Sequence, residues 1–99
     1  MMKAYVIFRL KAVYDAEKLQ QYRELARPCM IAYKARPIVL RGQQECLEGE
    51  EVLATVVLEF ESYETALAWY NSPEYQECKK FREDAADIDT VIVEGFSPA

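Results

Sequence analysis

The stretch ALAWYNSPEYQECKKFRE, Ala66 to Glu83, gathers the side chains of this sequence best suited to chemistry. On a helix following Pro73, Tyr75, Cys78, Arg82 and Ala86 share one face at spacings of three and four. That face is otherwise apolar, so Arg82 is expected to point inward. A buried guanidinium needs a carboxylate or several carbonyl partners, because an unpaired one is costly. Arg82 then either pins its helix to a strand end or to the following EDAAD segment, or holds an anionic or carbonyl oxygen of a ligand. Trp69 lies about 60° around its helix from Ala66. It can pack on a neighbouring element or a partner subunit, or stack on a substrate. Tyr70 and Tyr75 flank the break at Asn71-Ser72-Pro73, with rings suited to the core and phenols able to reach water or a carbonyl. Asn71 is a turn former there.

Cys78 would act as a nucleophile only if something lowered its pKa, and an inner-face cysteine is ordinarily an inert small hydrophobe. Cys29 and Cys46 make no stronger case. The three are far apart in sequence, with no CxxC pair, and are expected to be free thiols in a reducing, cytoplasmic setting. The chain has no histidine. That removes Ser-His-Asp and Cys-His triads, the usual zinc and iron sites, and a proximal haem histidine. No calcium-loop pattern supports a carboxylate-only site. The expectation is therefore no metal and no cofactor.

A second constellation depends on strand geometry. If the all-apolar faces of the first and third strands meet the helices, then Tyr5, Arg9, Thr55 and Glu59 share the opposite face. Val39 and Arg41 join them from the second strand. Two arginines, a glutamate and a tyrosine on an otherwise apolar face make either a polar site in a dry cavity or a salt bridge between strands or subunits. A slip of one residue in register would reverse the assignment.

The elements that position these groups follow from periodicity. Lys3–Ala12 reads as a strand, with Val6, Phe8 and Leu10 on one face and Tyr5, Ile7 and Arg9 on the other. Asp15 caps a helix whose inner stripe is Leu19, Tyr22, Ala26, Cys29 or Met30, and Tyr33. Pro28 inside it is expected to kink the helix or start a new segment. PIVLRGQQECL follows as a second strand and VLATVVLEF as a third, joined through the acidic turn at Gly49. Ser62 caps a helix with an inner stripe of Tyr63, Ala66, Leu67 and Tyr70. Ser72 and Pro73 then begin another, and TVIVEG is the last strand.

The order β-α-β-β-α-β, with its second helix broken in two, is the ferredoxin-like α+β pattern: a four-stranded antiparallel sheet with helices on one face. The 99 residues suffice for a single domain, 1–99. Helices cover only one side of such a sheet, yet the other side carries Ile7, Leu53 and Val57. An identical subunit packed sheet to sheet is the simplest cover, so a homodimer is expected. The net charge of −5 disfavours nucleic acid and anionic membranes as partners. The opening MMKAYVIFRL meets a charge before forming a long apolar core, so no secretion signal is expected.

These residues resemble domain-of-unknown-function family 1330, placed in the dimeric α/β-barrel superfamily. The resemblance rests on KAYVI, LRG, FESYETALAWYNSPEYQ, FREDAAD and VIVEG. The chain departs from the pattern at Ala35 and Arg36, where a glycine pair is usual, and at Gln43, where a second glycine often follows RG. The resemblance implies the fold and dimerisation, and no established substrate. Superfamily relatives look like small oxygenases, isomerases and haem-degrading enzymes, many with a pocket between sheet and helices. The leading reading is a homodimeric α/β barrel that binds, or without metal transforms, a small polar or anionic organic molecule through Arg9, Arg41, Glu59, Trp69, Tyr70, Tyr75 or Arg82. A solidly packed dimerisation or protein-interaction module is the alternative, and a cofactor-free monooxygenase or isomerase a second one. The pocket is expected either inside the barrel or between sheet and helices.

Overall fold

A computed structural model describes residues 2–97 and places seven elements in the order β1 (Ala4–Val13), α1 (Ala16–Ala32), β2 (Arg36–Leu40), β3 (Ala54–Phe60), α2 (Tyr63–Asn71), α3 (Pro73–Lys79) and β4 (Ala86–Glu94). The strands form one antiparallel sheet in the order β2-β3-β1-β4, the ferredoxin-like arrangement. Pairing of Val6 with Leu58, and of Ile7 with Val57, fixes the register. Ala4, Val6, Phe8, Leu58 and Phe60 are buried on the helix side. Tyr5, Ile7, Arg9, Thr55, Val57 and Glu59 therefore lie on the other face, as alternation along each strand requires.

Local chemistry explains the helix boundaries. The Asp15 carboxylate accepts from the Lys18 amide at 3.0 Å and starts α1. The helix continues through Pro28 as a single element, so no second segment begins there. It closes with the Lys34 amide bonded to the Ile31 carbonyl and the Ala35 amide to that of Met30. Lys34 takes the left-handed conformation, φ 58°, that glycine usually supplies at this position. The Ser72 hydroxyl sits at the joint of two helices. It donates to the Trp69 carbonyl at 2.7 Å and accepts from the Tyr75 amide at 3.2 Å, with Pro73 at the first position of α3.

Four expectations need correction. The last strand begins at Ala86 rather than Thr90 and ends at Glu94, and α3 ends at Lys79, so Arg82 and Ala86 do not continue its face. The second strand ends at Leu40 rather than running on through Gln43 to Leu47. Arg41 adopts φ 55°, and β3 begins only at Ala54, so the intervening residues have no strand to pair with. Pro37 is tolerated because β2 is an edge strand with a bulge at Ile38. On α2 the buried pair is Ala66 and Trp69, while Leu67 is exposed. The inner face is thus rotated toward Trp69.

Candidate functional site

Beneath α2 and α3 the space between helices and sheet is filled. Trp69 is 0 % exposed, with ring centroids 4.2 Å from Tyr75, 5.3 Å from Phe60 and 6.3 Å from Phe8. Tyr75 is equally buried, and its hydroxyl meets that of Tyr22 at 2.6 Å. Burial first, then mutual contact, pushes the Tyr22 phenol well above the ordinary tyrosine range. Burial does the same to Tyr75. Trp69 and Tyr75 are therefore packing groups, closed to a stacked substrate in this arrangement.

Arg82 is buried, only 7 % exposed, but not through a shared helical face: α3 ends at Lys79, Arg82 sits in the turn that follows, and Ala86 opens β4. Its guanidinium carbon lies 5.5 Å from the centre of the Tyr22 ring, a cation–π contact. Tyr70 is half-buried, and its hydroxyl accepts from the Lys79 ammonium at 3.2 Å. Tyr70, Lys79 and Arg82 line an open hollow of about 390 Å³ with Glu83, Asp87 and Thr90.

Beneath α1, toward β2, the layers separate. A cleft of about 300 Å³ runs between the helix and the sheet, with Phe8, Leu10, Leu19, Val56 and Leu58 among its apolar walls. Three arginines line it: Arg23 and Arg27 from α1, and Arg41 from the end of β2. Burial first, then the nearby Arg41 charge, holds the Arg23 guanidinium below the usual arginine range. The strand-two expectation put Arg41 on the opposite face. The structure brings it to the helix side, because the turn after Leu40 ends the alternation. Arg23 and Arg27 were missed by the sequence reading. Their signal was present: each directly follows an inner-stripe residue of α1, Tyr22 or Ala26, and so borders the buried stripe.

The sheet-face set does not assemble. Arg9 pairs in the ladder with Thr55, and Glu59 with Tyr5. Arg9 and Glu59 are thus separated by about 13 Å, four residues along a strand. Arg9 reaches the Glu50 carbonyl at 3.5 Å. Glu59 is held by Lys3 at 3.2 Å and Arg36 at 3.8 Å, a salt bridge on the open face. Around them the face is apolar: Val91 and Val93 are 53 % and 45 % exposed, and Val39 of β2 is 40 % exposed.

The cysteines are also redistributed. Cys29 and Cys78, distant in sequence, meet at 3.9 Å between α1 and α3. Burial, followed by the Cys29 contact, pushes the Cys78 thiol up to about 11, so it is protonated and unreactive at neutral pH. No group of three histidine, cysteine, aspartate or glutamate side chains suited to a metal comes together among the described residues.

Four antiparallel strands in this order, with helices on one face, define a ferredoxin-like α+β protein. The chain belongs to the family described as Domain of unknown function (DUF1330), whose model matches residues 3–96. Among solved structures it is similar to a Rhodopseudomonas palustris protein of unknown function, with a TM-score of 0.75 at 19% identity over 98% of this chain and 85% of that one. A dimeric ferredoxin-like protein of unknown function from Thermobifida fusca aligns with a TM-score of 0.64 at 12% identity, covering 95% and 92% of the two chains. A dimeric protein of ferredoxin-like fold and unknown function from Bacteroides fragilis gives 0.60 at 17% identity, covering 94% and 96%. No curated protein matches the sequence significantly. None of the described helices is long and apolar enough to cross a membrane.

Proposed function

We propose that this chain binds a small organic anion with an apolar body in the cleft between α1 and the sheet. The supporting observation is the pairing of apolar walls with Arg23, Arg27 and Arg41. Apolar walls with a few converging polar groups are the usual composition of a ligand pocket. Burial and then the nearby Arg41 charge disfavour the charged form of Arg23, and an anion lying beside it relieves that cost. The lining contains no aspartate or glutamate among the described residues, so the cleft has no carboxylate to move a proton. Binding rather than turnover is therefore the primary reading. Calorimetric titration with aromatic and medium-chain aliphatic carboxylates tests it. At least one acid should bind, and Arg41→Ala should weaken it by about tenfold, or roughly 1.4 kcal/mol. Equal affinity in the Arg41→Ala protein, or no binding by any acid, would count against the cleft.

We infer, further, that two copies associate through their open sheet faces. Ile7, Val57, Val91 and Val93 form an apolar field that α1, α2 and α3 leave uncovered. The Thermobifida and Bacteroides neighbours, described as dimeric, support this reading. Sedimentation equilibrium should give twice the chain mass, and Ile7→Lys with Val91→Lys should give a folded monomer. A wild-type monomer at micromolar concentration would defeat the reading.

A further inference from the structure

We propose that the hollow between the C-terminal end of α3 and β4 is a second binding site, for a small monoanion of the carboxylate class seated on Arg82. The hollow adjoins the α1 cleft, with Ile88 common to both linings, but the proposal does not rest on that cleft. No arginine is common to the two linings.

Arg82 is more than nine-tenths buried, yet it has no carboxylate of its own among the described residues. The two acidic side chains on the hollow are already paired, Glu83 with Lys79 at 3.8 Å and Asp87 with Lys11 at 3.7 Å. The two phenols beside Arg82 are kept protonated by burial, so neither supplies a negative charge. One positive charge thus stands in a poorly solvated place with the Tyr22 ring and the neutral Tyr22 and Tyr75 hydroxyls beside it, and with no anion among the described residues to balance it.

Hydrogen-bond accounting points the same way. The Arg82 Nε and the Thr90 Oγ1 are both buried without a partner, and both residues line the hollow although they come from different elements. The Trp69 indole nitrogen is a third buried atom without a partner, its ring 6.1 Å from that of Tyr70, which also lines the hollow. Native proteins leave few such groups unpaired. Arginine and tryptophan nitrogens only donate, so the missing partner must accept. Water accepts, but it leaves the Arg82 charge uncompensated. A carboxylate answers both requirements: one oxygen takes the Arg82 N–H, and the other takes a hydrogen from Thr90 or the Lys79 ammonium. Glu83 and Asp87 disfavour a dianion, which selects a carboxylate over inorganic phosphate.

The single tryptophan of the chain supplies the readout, because its indole N–H gives one resolved cross-peak in a ¹H–¹⁵N spectrum. Acetate is titrated at constant ionic strength into the wild type and into Thr90→Val, Arg82→Lys and Arg41→Ala. The proposal expects a saturable shift of the Trp69 peak, with a dissociation constant on the order of millimolar. Thr90→Val, nearly isosteric and safe for folding, should weaken it at least fivefold, Arg82→Lys should weaken it too, and Arg41→Ala should leave it unchanged. Inorganic phosphate should bind more weakly than acetate. A shift that rises without saturating, or one identical in Thr90→Val and Arg82→Lys, would mean that water fills the hollow and would overturn the proposal. Loss of binding in Arg41→Ala instead would move the acetate to the α1 cleft, and tighter binding of phosphate would overturn the monoanion assignment.

Discussion

Beneath α2 and α3 the sheet is met by Trp69, Tyr75, Phe60 and Phe8 in mutual ring contact, whereas beneath α1, toward β2, it is met by a gap edged with arginines. The two regions share one sheet and differ in what their helices offer it. Short α2 and α3 deliver large rings that reach the strands; the part of α1 near β2 delivers Ala26 and long charged side chains, which leave space and line it with charge. One half of the layer therefore holds the fold together while the other is free to accept a guest.

The strongest way to break this comparison is to truncate each side. Trp69→Ala should cost about 3–5 kcal/mol, as large-to-small changes at fully buried aromatics do. Leu40→Ala, at the exposed edge of the cleft, should cost less than about 1 kcal/mol. Urea unfolding of both variants checks the pair, and equal losses would erase the distinction. Tyr75→Phe sharpens it next. It keeps the ring stack but strips the Tyr22 hydroxyl of its 2.6 Å partner, so a loss of about 1–3 kcal/mol is expected by the same measurement.

Thiol chemistry probes the seam where the two halves join. Exposed Cys46 should be alkylated first and Cys78, with its pKa raised to about 11, last. Peptide mass mapping of iodoacetamide-treated protein at pH 7.5 reads the order, and early labelling of Cys78 would show that the seam opens. The smallest effect concerns the ion pair that ties the start of α1 to the segment after α3. Lys18 contacts Asp84 at 2.7 Å, and this hydrogen bond holds the Asp84 carboxyl below its ordinary value. A carboxylate depressed by folding contributes stability that is present above its unfolded pKa and lost as the pH falls through its folded one. Asp84→Asn should therefore lower Tm slightly at neutral pH. The difference should vanish in acid, below the ordinary carboxylate range; a difference that persists there would assign it to something other than the charge.

The sequence was most readable where a short period decides the outcome. The inner stripe of α1 at Leu19, Tyr22 and Ala26, the facing of Val6 and Ile7, and the break at Ser72-Pro73 each follow from spacing or cap chemistry local to a few residues. Arg82 is buried as expected, but from the turn after α3 rather than from the helical stripe on which the expectation rested. The cleft was not, because a gap is a relation between elements: Arg41 reaches it only through the turn after Leu40, and Arg23 meets it from a distant helix. The encounter of Cys29 with Cys78 is likewise tertiary. On the nine-residue α2, two overlapping apolar stripes compete, and the larger ring of Trp69 takes the interior in place of Leu67.

The bulged, proline-bearing margin at β2 has an evolutionary corollary. Arg41 hangs from the outermost strand, beside a span of residues 42–53 tethered by a few bonds, such as those of Gln44 to Val52 and Thr55. Residues can be swapped, inserted or lost there while the ring stack across the sheet is left intact. Descendants of one ancestral chain can thereby acquire different tastes in small molecules while keeping a common skeleton.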